Sequence, residues 1–150
     1  MTAFGLEVDR DLICILEGRP NKREALDALV DALGSKTDLV TDIVELRQAV
    51  FAREEVMSTG IGQGVAIPHV RVDTVKSPAV ALGICKDGID FGTLDNEPVH
   101  IVVLFAMPAG SQRIYLGLLA QVMLALKTPG FCQELVSCET PEAVLELVNS

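Results

Sequence analysis

The chain has 150 residues and a hydrophobic content of 49%, which suffices for one domain with a sizeable core. Its formal net charge of −9 and its pI near 4.6 argue against nucleic acid or an anionic membrane surface as a partner, because both need a basic face. No apolar run approaches the roughly 20 residues of a membrane-spanning helix, and the N-terminal residues do not form a signal peptide. We therefore expect a single cytoplasmic domain over residues 1–150, without insertion into a membrane.

The four cysteines lie inside or beside apolar segments, at Cys14, Cys85, Cys132 and Cys138. No two of them have Cys-x-x-Cys spacing, and the chain has only two histidines, so ligands for a zinc site are few. Free cysteine often packs as a small hydrophobic residue. We interpret the four as reduced, buried thiols and expect no metal site.

The first half of the chain carries two helical patterns. Leucine and valine recur at helical spacing over residues 20–34, and Gly34 stands at the end of the pattern. A second helix is expected to begin at Asp42, whose side chain can cap it, with Glu45 three residues later. This helix would direct Arg53 towards the segment that follows it.

That segment contains three glycines at alternate positions, Gly60, Gly62 and Gly64. Glycine lets the backbone turn sharply and leaves amide groups accessible, and the hydroxyls of Ser58 and Thr59 add further donors, so the segment suits phosphate binding. The pattern is neither a Walker loop, which needs Gly-Lys-Ser/Thr, nor a dinucleotide fingerprint, whose third glycine falls one residue later. An ordinary tight turn is the alternative interpretation.

The glycine segment leads to His69. Imidazole titrates near neutral pH, and its neutral form has a lone pair that can attack phosphorus. Arg53, Ser58, Thr59 and the loop amides could then receive the phosphoryl oxygens. Positioning and charge stabilisation supply most of the catalysis in phosphoryl transfer, so no nucleotide or other cofactor is expected. The alternatives are a structural loop histidine and an arginine that only pairs with a neighbouring glutamate.

The second half of the chain begins with strands. Two apolar runs at residues 79–85 and 99–106 are typical of central strands, and a turn at residues 86–88 is expected after the first. His100 lies inside the second run, and strand alternation predicts a structural or surface-facing role for it.

Two helices are predicted after the strands. Residues 114–126 are apolar almost all round, which favours a helix packed deeply against a sheet and ended by the Pro-Gly pair at residues 129–130. Thr140 can cap a last helix that has Pro141 in its first turn. Helices and strands in this arrangement predict a three-layer α/β sandwich, while the order of the strands is left open.

The segment from Arg53 to His69 resembles the signature of enzyme IIA domains of the phosphotransferase system (PTS), in the type-2 class of fructose, mannitol and nitrogen regulation. Residues 22–26, 95–99 and 140–142 are also similar to the family at comparable spacing. The resemblance covers essentially the whole chain as one PTS enzyme IIA type-2 domain. It implies an α/β/α sandwich with a mixed, roughly five-stranded sheet.

The resemblance also implies a phosphotransferase component, a phosphohistidine carrier that accepts a phosphoryl group on His69. The donor would be HPr, the histidine-containing phosphocarrier protein, or its nitrogen-branch counterpart. Arg53 falls where the family places its active-site arginine. The group would pass to an enzyme IIB domain and then to a sugar in transport, or regulatory proteins would respond to it in nitrogen regulation. Because no IIB or IIC segment is attached, we expect a freestanding component, which slightly favours the nitrogen branch, although split sugar systems have freestanding IIA chains too.

One position departs from the family pattern. The family has a second active-site histidine in a His-Leu pair at the start of the long apolar helix, and this chain has Tyr115-Leu116 there. A tyrosine hydroxyl can bond a phosphoryl oxygen, but with a pKa of about 10 it cannot supply the charge of an imidazolium. Tyr115 could also serve only in helix packing. The alternative function is a regulatory binding module without transfer. The fold is shared with the cytoplasmic domain of anion exchangers, but the intact histidine loop argues against such a scaffold role.

Overall fold

The computed structural model describes residues 4–5, 8–36, 38–56, 60–93 and 96–149. A short 3-10 turn at Arg10–Leu12 precedes the first strand. The elements that follow are β1 (Ile13–Leu16), α1 (Lys22–Gly34), α2 (Ile43–Val56), β2 (Gly60–Gly62), β3 (Val65–Ala66), β4 (His69–Arg71), β5 (Ala79–Ile89), β6 (Val99–Met107), α3 (Gln112–Lys127), α4 (Phe131–Ser137) and α5 (Pro141–Val148).

The strands form one mixed sheet in the order β1-β5-β6-β3-β2, with β4 also paired to β6. β5 and β6 are antiparallel, whereas β1 is parallel to β5, and both β3 and β4 are parallel to β6. Val65 pairs with Ile101 and His69 with Phe105, so β3 and β4 follow each other along one side of β6 in the same register. The described strands therefore occupy five positions across the sheet, which confirms the predicted mixed, roughly five-stranded sheet.

The break between β3 and β4 falls at Ile67 and Pro68. Proline has no backbone N–H to give to a ladder, so a strand that contains it is interrupted there. The carbonyl of Pro68 still accepts a bond from the backbone N–H of Phe105 at 2.9 Å. This bond returns the chain to β6, and His69 is consequently the first residue of the resumed strand.

Apolar side chains form a core on each face of the sheet, which confirms the three-layer α/β/α sandwich. The first core joins α1 and α2 to the sheet, and the second joins α3, α4 and α5 to the other face. β6 contributes to both because its side chains alternate, with Val102 and Leu104 in the first core and Ile101, Val103 and Phe105 in the second.

Polar caps fix where the predicted helices begin. Asn21 and Glu24 form a capping box at the start of α1. The backbone N–H of Glu24 donates to the side chain of Asn21 at 2.8 Å, and the backbone N–H of Asn21 donates to the side chain of Glu24 at 2.9 Å. The carboxylate of Asp42 accepts a bond from the N–H of Glu45 at 3.1 Å, as the sequence predicts. The hydroxyl of Thr140 caps α5 in the same way.

The turn predicted at residues 86–88 is wrong, because β5 continues through it to Ile89. The pairing register with β6 shifts between Ile84 and Ile89, so the extra residues form a bulge. Gly88 has a φ of +88° there, and a Cβ on it would lie 2.8 Å from the Cβ of Pro98. A bulge and a turn both favour glycine and polar residues, which explains the wrong prediction.

α3 packs against the sheet as predicted, but it also has an apolar side that is exposed. Its buried side chains are Tyr115, Leu118, Val122 and Leu126. Ile114, Leu116 and Leu124 are 54%, 53% and 69% exposed. Composition alone could not separate these two faces, because both are apolar.

The four cysteines are free thiols. Cys85 is buried as predicted, whereas Cys14, Cys132 and Cys138 are only partly buried. No single helix among the described residues is long and apolar enough to cross a membrane. Only α3 and α4 taken together reach the length and apolar composition of a membrane-spanning helix, and they are bent by 86° at their junction.

Candidate functional site

His69 lies on the face of the sheet that α3 covers. Val70 is buried in the core beneath α1 and α2, and strand side chains alternate, so His69 and Arg71 lie on the opposite face. Nδ1 of the partly exposed His69 ring is 3.4 Å from the carbonyl oxygen of Ile67. A carbonyl can only accept, so this contact favours a proton on Nδ1 and leaves the lone pair on Nε2.

The ring of Tyr115 stacks on the ring of His69. The two centroids are 4.7 Å apart and the planes differ by 24°. Tyr115 lies in the first turn of α3 and is 6% exposed, and its ring also packs edge-on against Phe105, with the centroids 5.4 Å apart. Phe105 is also the residue paired with His69 across β4 and β6. The three rings therefore fix the orientation of the imidazole and shield one of its faces from water.

The surroundings of His69 keep its ring neutral. Burial lowers the pKa of His69 below its ordinary value of 6.5, and the charges of Arg53 and Arg71 lower it further, although the contact with the Ile67 carbonyl acts in the opposite direction. The neutral form, which has the nucleophilic lone pair, therefore predominates at neutral pH.

Arg53 lies in the last turn of α2, and an ion pair holds this end of the helix. The carboxylate of the adjacent Glu54, which is 6% exposed, lies 2.6 Å from Nζ of Lys22 at the start of α1. The Lys22 ammonium also donates to the carbonyl of Phe91 at 3.2 Å and lies over the ring of that residue. The position of Arg53 near His69 thus depends on how α1 and the sheet hold α2.

The glycine segment forms a hairpin between β2 and β3. Gln63 and Gly64 have φ values of +58° and +79°, as the two central residues of a two-residue hairpin turn require, and Gly62 has a φ of +89° where the pairing of β2 with β3 shifts register. The carbonyl of Gly64 accepts bonds from the N–H groups of His100 and Ile101 at 2.8 and 3.0 Å. The turn explains Gly64 and the register shift explains Gly62, so phosphate binding by these glycines and by Gly60 stays a prediction. Ser58 and Thr59 lie outside the described residues, and their predicted role stays open as well.

His100 has the structural position that strand alternation predicts. Its Nδ1 is 2.9 Å from the carbonyl oxygen of Cys85, across the bulge of β5. The ring also packs against Gly64 and Gly88, where an added Cβ would approach its carbon atoms to 3.3 and 3.2 Å. His100 therefore holds the glycine hairpin and the bulge together at the start of β6.

Arg71 is a candidate site residue that the sequence analysis missed. It is exposed and lies two residues after His69 on β4, hence on the same face. The alternation of a strand beginning at His69 would have pointed to it. Together, His69, Arg53 and Arg71 offer a neutral nucleophile with two cations, which suits a phosphoryl group with several negative oxygens.

The described part of the chain contains no group of three His, Cys, Asp or Glu side chains that could hold a metal ion.

A family model described as phosphoenolpyruvate-dependent sugar phosphotransferase system, EIIA 2, matches residues 8–150. The chain is 33% identical over 128 residues to the PTS system fructose-specific EIIABC component of Bacillus subtilis. These residues are 85% of this chain and 20% of that protein. It is 29% identical over 131 residues to the nitrogen regulatory protein of Klebsiella oxytoca, covering 86% of this chain and 79% of that protein. The chain thus spans a fifth of one relative and most of the other.

Solved structures show the same fold. The nitrogen regulatory protein IIA-Ntr from Neisseria meningitidis superposes with a TM-score of 0.82 at 23% identity, over 94% of this chain and 95% of that one. The enzyme IIAMTL structure from Escherichia coli, solved in complex with phosphorylated enzyme IIBMTL, superposes with a TM-score of 0.78 at 22% identity, over 93% and 95% of the two chains. The match extends over both helical layers and the sheet between them.

Proposed function

Because the chain belongs to the EIIA 2 family of the phosphoenolpyruvate-dependent sugar phosphotransferase system, we propose that it is a phosphocarrier whose His69 accepts a phosphoryl group from an HPr-like donor. The observation that carries this proposal is the state of the His69 ring. Its Nδ1 faces the Ile67 carbonyl, its pKa is lowered by burial, and Nε2 is left as the nucleophile. Arg53 would stabilise the charge on the phosphoryl oxygens.

In the proposed step, the lone pair of Nε2 attacks phosphorus, and the P–N bond to the donor histidine breaks. The electron pair of that bond returns to the donor ring. Each ring keeps the proton on its other nitrogen, so the transfer needs no separate acid, base or water. The carbonyl of Ile67 would stabilise the positive charge that the His69 ring gains, and the fixed arginine would supply electrostatic stabilisation in the loose transition state.

The proposed acceptor is an enzyme IIB domain or a regulatory protein that responds to the phosphorylation state. The relatives and structural neighbours support both, since their names include a fructose system, nitrogen regulatory proteins and a IIA–IIB complex. Ile114 and Leu116 flank Tyr115 at the site and are more than half exposed. They would form part of the apolar surface on which donor and acceptor dock in turn.

Intact-mass spectrometry at alkaline pH tests this function directly. The chain is incubated with enzyme I, HPr and phosphoenolpyruvate, and then with the nitrogen-branch donors. We expect one phosphoryl addition to the unmodified chain and none to His69→Ala. The matched control is His100→Gln, which removes the other histidine and should still be phosphorylated.

A phosphoryl addition to His69→Ala would refute the assignment of the site. If neither set of donors phosphorylates the unmodified chain, the carrier function is wrong, and a regulatory binding module with Tyr115 in place of the second histidine is the better account.

A further inference from the structure

The aromatic ring that stacks on His69 carries no positive charge. Tyr115 is buried against His69 and Phe105, and burial raises the pKa of its hydroxyl above 10. It is therefore neutral at physiological pH. It can orient the imidazole by stacking and donate one hydrogen bond, but it cannot balance the charge of a phosphoryl group.

Arg71 lies where a replacement cation would be needed. It follows His69 by two residues on β4, so the two Cα atoms are about 7 Å apart and the side chains leave the strand on the same face. Across the sheet, His69 pairs with Phe105 and Arg71 with Met107, and both partners lie in the core that includes Tyr115. Arg71 is thus beside the stacked rings, at the exposed side of the site.

No ion pair occupies Arg71 within the described ranges. Other arginines are held by carboxylates: Arg47 lies 2.5 and 2.6 Å from Asp27 and Asp31, and Arg10 lies 2.9 Å from Glu142. An exposed cation with no described carboxylate beside it, next to a nucleophilic histidine, is available for an anionic ligand.

We propose that Arg71 is a second phosphoryl-binding cation of this site, which supplies from β4 the positive charge that Tyr115 cannot supply from α3. The inference rests on the proposed function, because it assigns a role in the phosphorylation of His69. Its guanidinium would bind one or two oxygens of the phosphoryl group as phosphorus moves to Nε2. A planar guanidinium suits this role, since it donates in a fixed fork and remains charged at any physiological pH.

The electrostatics of the site agree with this placement. After burial, the charges of Arg53 and Arg71 are both among the causes that lower the pKa of His69. The same two charges oppose the rise that burial causes in the pKa of Tyr115, with Arg71 the larger of the two. Arg71 therefore acts on both stacked rings, as a cation placed between them and the solvent would.

The test compares Arg71→Gln with Lys127→Gln, a matched loss of one exposed cation about 18 Å along α3 from Tyr115. The measurement is the rate of His69 phosphorylation against the concentration of phosphorylated HPr, which separates kcat from KM. We expect Arg71→Gln to lower kcat roughly 10- to 100-fold, Arg71→Lys to recover part of that loss, and Lys127→Gln to match the unmodified chain. Arg71 is exposed, so these variants should fold normally.

A second comparison uses Tyr115→His, which restores the charge by the other route. If Arg71 supplies that charge, Tyr115→His should raise kcat more in the Arg71→Gln background than in the unmodified one. An unchanged kcat in Arg71→Gln, or an effect on KM alone, would overturn the inference while leaving the carrier function intact. Failure of the unmodified chain to accept a phosphoryl group would instead refute the function and, with it, this role for Arg71.

Discussion

The chemistry of this site depends on the protonation state of His69. A ring with a lowered pKa loses its proton at lower pH than an ordinary histidine, so a larger fraction is neutral and able to attack phosphorus at any pH near 6. The charged ring is disfavoured by burial first and by two arginines second. Under the proposed function, His69 would therefore be in its nucleophilic form before any donor binds.

This leads to a prediction for the pH titration of His69. Its pKa, followed by NMR of the ring carbon-bound protons, should lie below 6.5, and the rate of phosphorylation should fall only when the pH drops through that lower value. Replacing Arg53 or Arg71 with glutamine removes a nearby positive charge, so each change should raise the pKa of His69. A pKa at or above 6.5 in the unmodified chain would contradict this account.

At the residue scale, the sequence predicted His69, Arg53 and Tyr115 as candidates, and the structure brings the rings of His69 and Tyr115 into contact. The stacking itself was not predictable, because it depends on how α3 packs on the sheet. Arg71 was predictable in principle, since it needs only the alternation of one short strand. Ser58 and Thr59 keep their predicted role without a structural test.

At the scale of elements, the buried pair between Lys22 and Glu54 links the start of α1 to the end of α2. Lys22→Met should destabilise the protein by about 3 kcal/mol, because it leaves the carboxylate of Glu54 buried without this partner. The free energy of unfolding in urea measures the effect. The double variant with Glu54→Leu should be more stable than Lys22→Met, since it also removes the buried charge. A single variant within 0.5 kcal/mol of the unmodified chain, roughly the effect of an exposed pair, would contradict the prediction.

The elements that the sequence predicted are those with a long period or a clear cap. α1, α2 and α5 have caps that can be read from the residues, and α3 has a long apolar pattern over residues 114–126. β1 and α4 span only four and seven residues, too short to show a period, and they were missed. The strands β2 to β4 are defined mainly by their pairing partners, which no local pattern reveals.

At the scale of the whole molecule, contacts between distant segments connect the two ends of the described chain. The side-chain amide of Asn149 donates to the carbonyl of Val8 and accepts from its N–H, both at 3.0 Å. The guanidinium of Arg10 binds both carboxylate oxygens of Glu142. These two pairings join residues more than 130 positions apart, and, like the order of the strands, they leave no trace in local sequence.

Asn149→Ala tests this connection. The loss of two partly buried hydrogen bonds should lower the free energy of unfolding by about 1–2 kcal/mol, because the backbone groups of Val8 lose their partners. Urea unfolding measures this change, and the rate of His69 phosphorylation serves as the control, since α5 does not contribute to the site. A change below about 0.3 kcal/mol would show that water replaces the amide without loss.

The direction of the carbonyls around Pro68 has a consequence for the ring of His69. Neighbouring carbonyls of a strand point in opposite directions. The carbonyl of Pro68 bonds to β6, so the carbonyl of Ile67 points to the other side, where no described strand pairs with β4. An open sheet edge usually invites unwanted association. Here the carbonyl of Ile67, which does not bond to a described neighbouring strand, is the acceptor for Nδ1 of His69. The direction of the Ile67 carbonyl therefore favours the proton on Nδ1, and under the proposed function Nε2 would be the nitrogen that carries the phosphoryl group.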